Sequence, residues 1–247
     1  MSITLNLRRG KLLKRPNRFV FIGQLNGKEL RLHCPATGSI GEIKDFCGLP
    51  CLISVPTNGT KKSPRTTSGT VEAFSLDGGK SWIGINQNRI NGWVEQLLHL
   101  DALPELISCA DTTILHEVRV EDSRLDLCVV RDSQRTFLEI KTPIRDLYLS
   151  ANATNSSPPS PDYFARGLRH FETLARLVQS GHRAIVLICF LYNAVPFAPP
   201  PPAEWNRKIY DVVQRTRSCG VEHWQLNCTI TPDELRVERL MRLNSLC

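Results

Sequence analysis

The stretch SRLDLCVVRDSQRTFLEIK, residues 123–141, decides the fold of the second half of this chain. Two runs rich in leucine, valine and phenylalanine flank the polar pair Asp132-Ser133, the pattern of two antiparallel strands joined by a two-residue turn. A turn centred there pairs Leu127 with Leu138 and Leu125 with Ile140, and these four side chains then share the core face. The other face carries Arg124, Asp126, Glu139 and Lys141, with Asp126 opposite Glu139. The preceding TILHEVRV (113–120) alternates in the same way, and Glu121-Asp122 forms a second short turn. Its register pairs Val118 with Leu125, His116 with Leu127 and Glu117 with Asp126. The sequence therefore predicts a row of three carboxylates, Glu117, Asp126 and Glu139, across three adjacent strands.

Carboxylates placed opposite one another on a sheet repel. Two arrangements offset that cost. One is a solvated face of diagonal ion pairs, Asp126 with Lys141 and Arg124 with Glu139. The other is a divalent cation, since Mg²⁺ takes oxygen ligands, commonly one or two carboxylates with water and substrate phosphate. Such an ion polarises a phosphoryl group and lowers the pKa of an attacking water. Lys141, two residues beyond Glu139, shares its face and is placed to orient that water or to stabilise charge developing on phosphate. The charge pattern alone leaves both arrangements open.

Outward from the hairpin, NRINGWVEQLLHLDALPEL places Ile90, Trp93, Val94, Leu97 and Leu98 at helical spacing. After the hairpin comes the low-complexity loop SANATNSSPPSP, then DYFARGLRHFETLARLVQSG, an amphipathic helix with Gly181 suited to its cap. RAIVLICFLY reads as a buried strand, parallel to a neighbour reached by the helical crossover. A proline run precedes a third helix from about Glu204 to Ser218, and VEHWQLNCTI reads as a strand. Residues 86–247 thus form an α/β unit. Residues 1–85 read as a small β unit: RFVFIGQLNGKELRLHC is a hairpin turning at Asn26-Gly27, and PCLISVP and GTVEAFSL are further strands. Short strands with basic loops suit an OB-like small barrel.

The charge is unevenly placed. Residues 1–31 hold eight basic side chains and one acid, which accounts for the whole formal net charge of +7. A basic amino-terminal arm leading into a β unit points to a polyanion, usually nucleic acid, and Arg8, Arg9, Lys14, Arg15 and Arg18 are the candidate contacts. The plainer reading is a solvated, solubility-promoting end. Nine cysteines without a framework spacing are expected as free thiols. The longest apolar run, Ala184 to Tyr192, is half of what a membrane span needs. The amino terminus has no apolar stretch long enough for a secretory signal. A cytoplasmic protein with no membrane partner is expected.

Asp126, then twelve intervening residues and Glu139-x-Lys141, resembles the PD-(D/E)xK nuclease core. RFVFIGQLNGKELRLHCPATGSI, SRLDLCVV, FLEIKTP, ARGLRHFETLARLVQSGHRAIVL and FAP together resemble the sugar fermentation stimulation (SfsA) family along nearly the whole chain. That resemblance implies an OB-like amino-terminal domain, a PD-(D/E)xK-like carboxy-terminal domain and DNA binding. The chain departs from the family pattern at HCPATG, where Ala36 replaces an amide side chain. It departs again at Gln96, where relatives tend to carry glutamate and where Glu95 stands alongside, and in the shortened PDYFARGLRH.

The resulting expectation is a nucleic-acid-binding, metal-dependent nuclease acting on DNA, possibly RNA. Asp126 and Glu139 are the expected ligands of Mg²⁺ or Mn²⁺, with the Ile140 carbonyl completing the shell as in similar nucleases. Glu117 is a further ligand or water anchor, and Lys141 stabilises charge. Arg166 and His170, and the backbone of the turn at Thr37, are further candidate phosphate contacts, with a surface histidine and a simple turn as the plainer readings. The rival is a DNA-binding regulator that cleaves nothing; a purely structural acidic cluster is the third reading.

Overall fold

The structure is a computed structural model. It describes residues 1–36, 40, 43, 45–56, 66–108, 111–144, 161–198, 202–204 and 206–243, with backbone only over 161–166. The strands of the first part are β1 (Ser2–Thr4), β2 (Arg8–Asn17), β3 (Val20–Leu25), β4 (Lys28–His33), β5 (Pro50–Ser54), β6 (Gly69–Phe74) and β7 (Ile83–Gly84). Then follow α1 (Ile90–His99), β8 (Thr113–Val120), β9 (Ser123–Arg131), β10 (Gln134–Lys141) and α2 (Pro161–Gln179). The chain ends with β11 (Arg183–Phe190), α3 (Arg207–Ser218), β12 (Glu222–Ile230) and β13 (Glu234–Arg242).

Strands β2–β6 form a closed barrel. The order β4-β3-β2-β5-β6 is sealed by a parallel pairing of β4 with β6, Leu32 opposite Gly69, and β7 adds to the far edge of β6. Asn26 and Gly27 both take positive φ, 51° and 77°, as the predicted tight turn between β3 and β4 requires. Leu12, Phe21, Leu32, Ile53, Val71 and Phe74 fill the interior. Phe46 meets Phe21 and Phe74 edge-on, with centroids 5.1 and 5.9 Å away. The first residues are not an arm. β1 pairs with β13 in the other sheet, Ile3 opposite Leu235, and the basic run Arg8–Asn17 is a barrel strand hydrogen-bonded to both β3 and β5. Ile3, Leu5, Leu7 and Leu12 are buried, and this apolar anchoring outweighs the tendency of the intervening charge to stay in solvent.

The second sheet has seven strands in the order β1-β13-β12-β11-β10-β9-β8. β10, β11 and β12 are parallel, and the helical elements α2 and α3 make the crossovers between them. Both faces are covered. Leu127, Leu138, Ile185, Leu187 and Leu226 pack beneath α1, through Trp93, Val94, Leu97 and Leu98. Phe137, Ala184, Val186 and Ile188 pack against α2, through Phe171, Leu174, Leu177 and Val178. This double covering explains the unbroken apolar run in β11.

Barrel and sheet share the first of these cores, because Leu52 of β5 and Ala73 of β6 join it. The contact is tightest at Gly84, whose N–H donates to the carbonyl of Leu191 at 3.0 Å. A Cβ on Gly84 would lie 2.3 Å from that of Leu191, so only glycine admits this approach. Among the described residues no helix is long and apolar enough to cross a membrane.

Candidate active site

The two hairpin turns fall where the sequence places them. Leu127 stands opposite Leu138, Val118 opposite Leu125 and His116 opposite Leu127. The row of three carboxylates does not form. Glu117 takes a left-handed conformation, φ 47°, and drops out of the β8–β9 pairing. Its side chain is largely exposed and pairs with Arg124. Leu125 joins the α2-side core, while Leu127, Leu138 and Ile140 lie on the α1 side, so the four do not share one face. A residue with positive φ breaks the two-residue alternation on which the row depended.

The charge of Glu139 is felt at Asp126. The β9–β10 ladder runs from Gln134–Arg131 to Leu138–Leu127, and beyond it a side chain takes over from the backbone. The Ile140 N–H donates to Asp126 Oδ2 at 2.7 Å, and Asn91 Nδ2 donates to Oδ1 at 2.8 Å. Asn91 lies in the first turn of α1, one turn before Glu95, and Glu95 takes a 2.6 Å contact from His116 on β8. One polar edge of α1 thus runs across β8 and β9. Gln96 is exposed. Burial raises the pKa of Asp126, and the charge of Glu139 adds to the rise.

Glu139 is only 3% exposed. It points to the α2 side, with Phe137 and Lys141, as strand alternation dictates. His170 of α2 donates from Nδ1 to Glu139 Oε1 at 2.5 Å, and the Lys141 ammonium pairs with the same oxygen. Burial alone would favour the neutral acid, but the His170 hydrogen bond and the Lys141 charge outweigh it and hold the pKa below the ordinary carboxylate value. Glu139 Oε2 is buried with no hydrogen-bond partner. An ionised oxygen left bare in the interior is costly unless something binds it. The diagonal pairs weighed above are replaced by Glu139 with Lys141 and Glu117 with Arg124. Among the described residues no three His, Cys, Asp or Glu side chains gather closely enough to hold an ion by themselves.

His170, expected at the surface against phosphate, is instead 5% exposed and serves as the buried partner of Glu139. Its position in the helical period of α2, one residue before the core residue Phe171 and three before the buried Thr173, is the signal that could have placed it inward. Asn91 was not foreseen, since a lone asparagine early in a helix carries no pattern. Arg15 is held within the barrel's own surface. It donates to the carbonyls of Ala36, at 2.9 Å, and Arg18, at 3.1 Å, and lies over the rings of Phe21 and Phe46. Arg8, Arg9, Lys14 and Arg18 are exposed, with Arg9 over the Trp82 ring. Thr37 and the side chain of Arg166 lie outside the described residues.

A family profile described as "Sugar fermentation stimulation protein RE domain" matches residues 88–234, the span from the start of α1 to the start of β13. A sugar fermentation stimulation protein homolog of Shewanella denitrificans is 30% identical over 242 residues, 96% of this chain and 97% of its own. One of Alcanivorax borkumensis is 31% identical over 201 residues, 76% of this chain and 77% of its own. The solved structure of Pyrococcus furiosus SfsA, in complex with Ca²⁺, superposes with a TM-score of 0.69 over 98% of this chain and 96% of its own, at 24% identity. That likeness is one of fold. The profile spans the carboxylate centre from Asn91 to Glu139, and the Shewanella relative matches nearly end to end; the chain belongs to the sugar fermentation stimulation protein family.

Proposed function

We propose that this protein is a nucleic-acid-binding, metal-dependent nuclease. In this reading residues 1–85 form the OB-like binding domain and residues 86–247 the PD-(D/E)xK-like domain. The observation that carries it is Glu139 Oε2, a buried ionised oxygen without a partner beside a second carboxylate. Asp126, Glu139 and the Ile140 carbonyl form an all-oxygen donor set suited to a hard cation, Mg²⁺ or Mn²⁺. The Ca²⁺ complex of the Pyrococcus relative supports a divalent ion. Bound there, such an ion would polarise a phosphodiester and lower the pKa of an attacking water.

The chain's own residues do the rest. His170 and Lys141 both engage Glu139 Oε1, which keeps the carboxylate ionised and leaves Oε2 for ligation. Asn91 and the Ile140 N–H fix the Asp126 carboxylate from two directions. Lys141, 35% exposed, also has access to solvent and offers a positive charge to a phosphate oxygen. Glu117 takes no part. The rival reading, a DNA-binding regulator that cleaves nothing, has one observation in its favour: Glu139 already has two basic neighbours of its own.

The test is a cleavage assay on purified protein with Mg²⁺ or Mn²⁺ against single strands, duplexes, nicked DNA and RNA. Asp126→Asn and Glu139→Gln each abolish cleavage, and Lys141→Ala loses turnover while retaining the ion. Intact substrate across the panel would favour the regulator.

A further inference from the structure

We infer that Glu72, on barrel strand β6, is a positioning residue for the candidate metal site: it fixes the connector 86–91, which holds Asn91 on Asp126. This deepens the metal reading above and rests on it. Glu72 is 1% exposed, yet both its carboxylate oxygens are engaged. Ser54 Oγ, on the neighbouring strand β5, donates to Oε1, and the Arg89 guanidinium lies 3.6 Å from the same oxygen. Asn86 Nδ2 donates to Oε2 at 2.7 Å. The Asn86 Oδ1 is buried without a partner, so this amide is held by its donor side alone. The Ile85 N–H donates to the Glu72 carbonyl at 2.8 Å, which ties down the chain just before the connector.

The connector also grips the sheet. Gln87 Nε2 donates to the carbonyl of Thr142, the residue after Lys141. Arg89 lies over the ring of Trp93, 4.9 Å from its centroid, and Trp93 is buried in the core beneath α1. Asn91 then reaches Asp126 Oδ1 at 2.8 Å. Among the described residues no side chain caps the start of α1, so the place of its first turn rests on the contacts that precede it. A carboxylate taken out of water is costly, and an apolar side chain would join barrel to sheet without that cost. What the carboxylate adds is direction. Donors from the barrel strand, the connector and the helix start converge on one group, and together they set where Asn91 stands.

The experiment is Mn²⁺ titration calorimetry on the full chain, at a temperature where every variant is folded. Glu72→Ala is expected to weaken Mn²⁺ binding about ten-fold, the low end for loss of a group that orients a ligand. Glu72→Gln keeps an oxygen for Asn86 and should stay within about three-fold of wild type, because it gives up only the half-exposed Arg89 pair. Asn91→Ala should also weaken binding about ten-fold. Adding Glu72→Ala to Asn91→Ala should bring no further loss, since the link it acts through is already gone. Val71→Ala, which removes buried volume from the barrel interior beside Glu72, should lower stability and leave Mn²⁺ affinity unchanged. Should Glu72→Ala fail to fold, Asn86→Ala cuts the same link from the connector side and is read by the same outcomes. Unchanged affinity in Glu72→Ala, additive losses with Asn91→Ala, or an equal loss with Val71→Ala overturns this inference alone. Wild-type protein that binds no Mn²⁺ overturns it together with the metal reading.

Discussion

His170→Ala probes the support beneath Glu139. Glu139 is 3% exposed and His170 5%, so water does not replace the lost donor. A hydrogen bond to a charged group contributes about 1.5–3 kcal/mol, and its removal leaves a buried carboxylate oxygen with Lys141 as its one listener among the groups described above. We expect a loss of about 2–3 kcal/mol in urea unfolding at pH 7, or roughly 5–10 °C in Tm for a chain of this size. His170→Gln, which keeps a donor, should lose less. The decisive comparison is a double-mutant cycle with Glu139→Gln. In that background the carboxylate charge is gone, so His170→Ala should cost at least about 1 kcal/mol less than in the wild type. Additivity within about 0.5 kcal/mol would refute the pairing and with it the reason given for an ionised Glu139.

Three further outcomes are expected. His223 is buried against Phe171, and burial, with Arg217 adding, pushes its pKa down to about 3. The unfolded chain therefore takes up a proton that the folded one refuses as pH falls below about 6.5, and stability drops by at most about 1.4 kcal/mol per pH unit. His223→Phe should flatten that decline in unfolding curves measured between pH 6.5 and 4. Gly84→Ala should destabilise by about 1–3 kcal/mol in the same assay, because the added methyl meets Leu191 across the barrel–sheet contact. Glu117→Gln should leave cleavage unchanged, since Glu117 is turned outward to Arg124; a loss of turnover comparable to that of Glu139→Gln would return it to the site.

The hairpin turns were legible because Asp132-Ser133 and Glu121-Asp122 are short polar breaks between apolar runs, and pairing follows from turn length alone. The parallel β11 was legible from its unbroken apolar run after a helix. The failures share a cause. Strand alternation was extended across Glu117, where one positive φ shifts the pattern, and nothing in the sequence marks that position. The basic run at 8–17 looked like an arm because charge dominates its composition. Its apolar residues, Leu12 above all, are few but buried, and β1 is held by a strand more than 200 residues away in sequence, a pairing that local pattern does not reveal. His170 and Asn91 reach the centre from helices on opposite faces of the sheet, a convergence that only the assembled fold displays.

The central claim, that Asp126 and Glu139 hold a divalent cation, is tested most directly by Mn²⁺ titration calorimetry on the wild type, Asp126→Asn and Glu139→Gln. One ion bound by the wild type, and loss of that ion in each variant while the fold persists, is the expected result. An ion that stays bound in both variants, or no ion bound by the wild type, would contradict it.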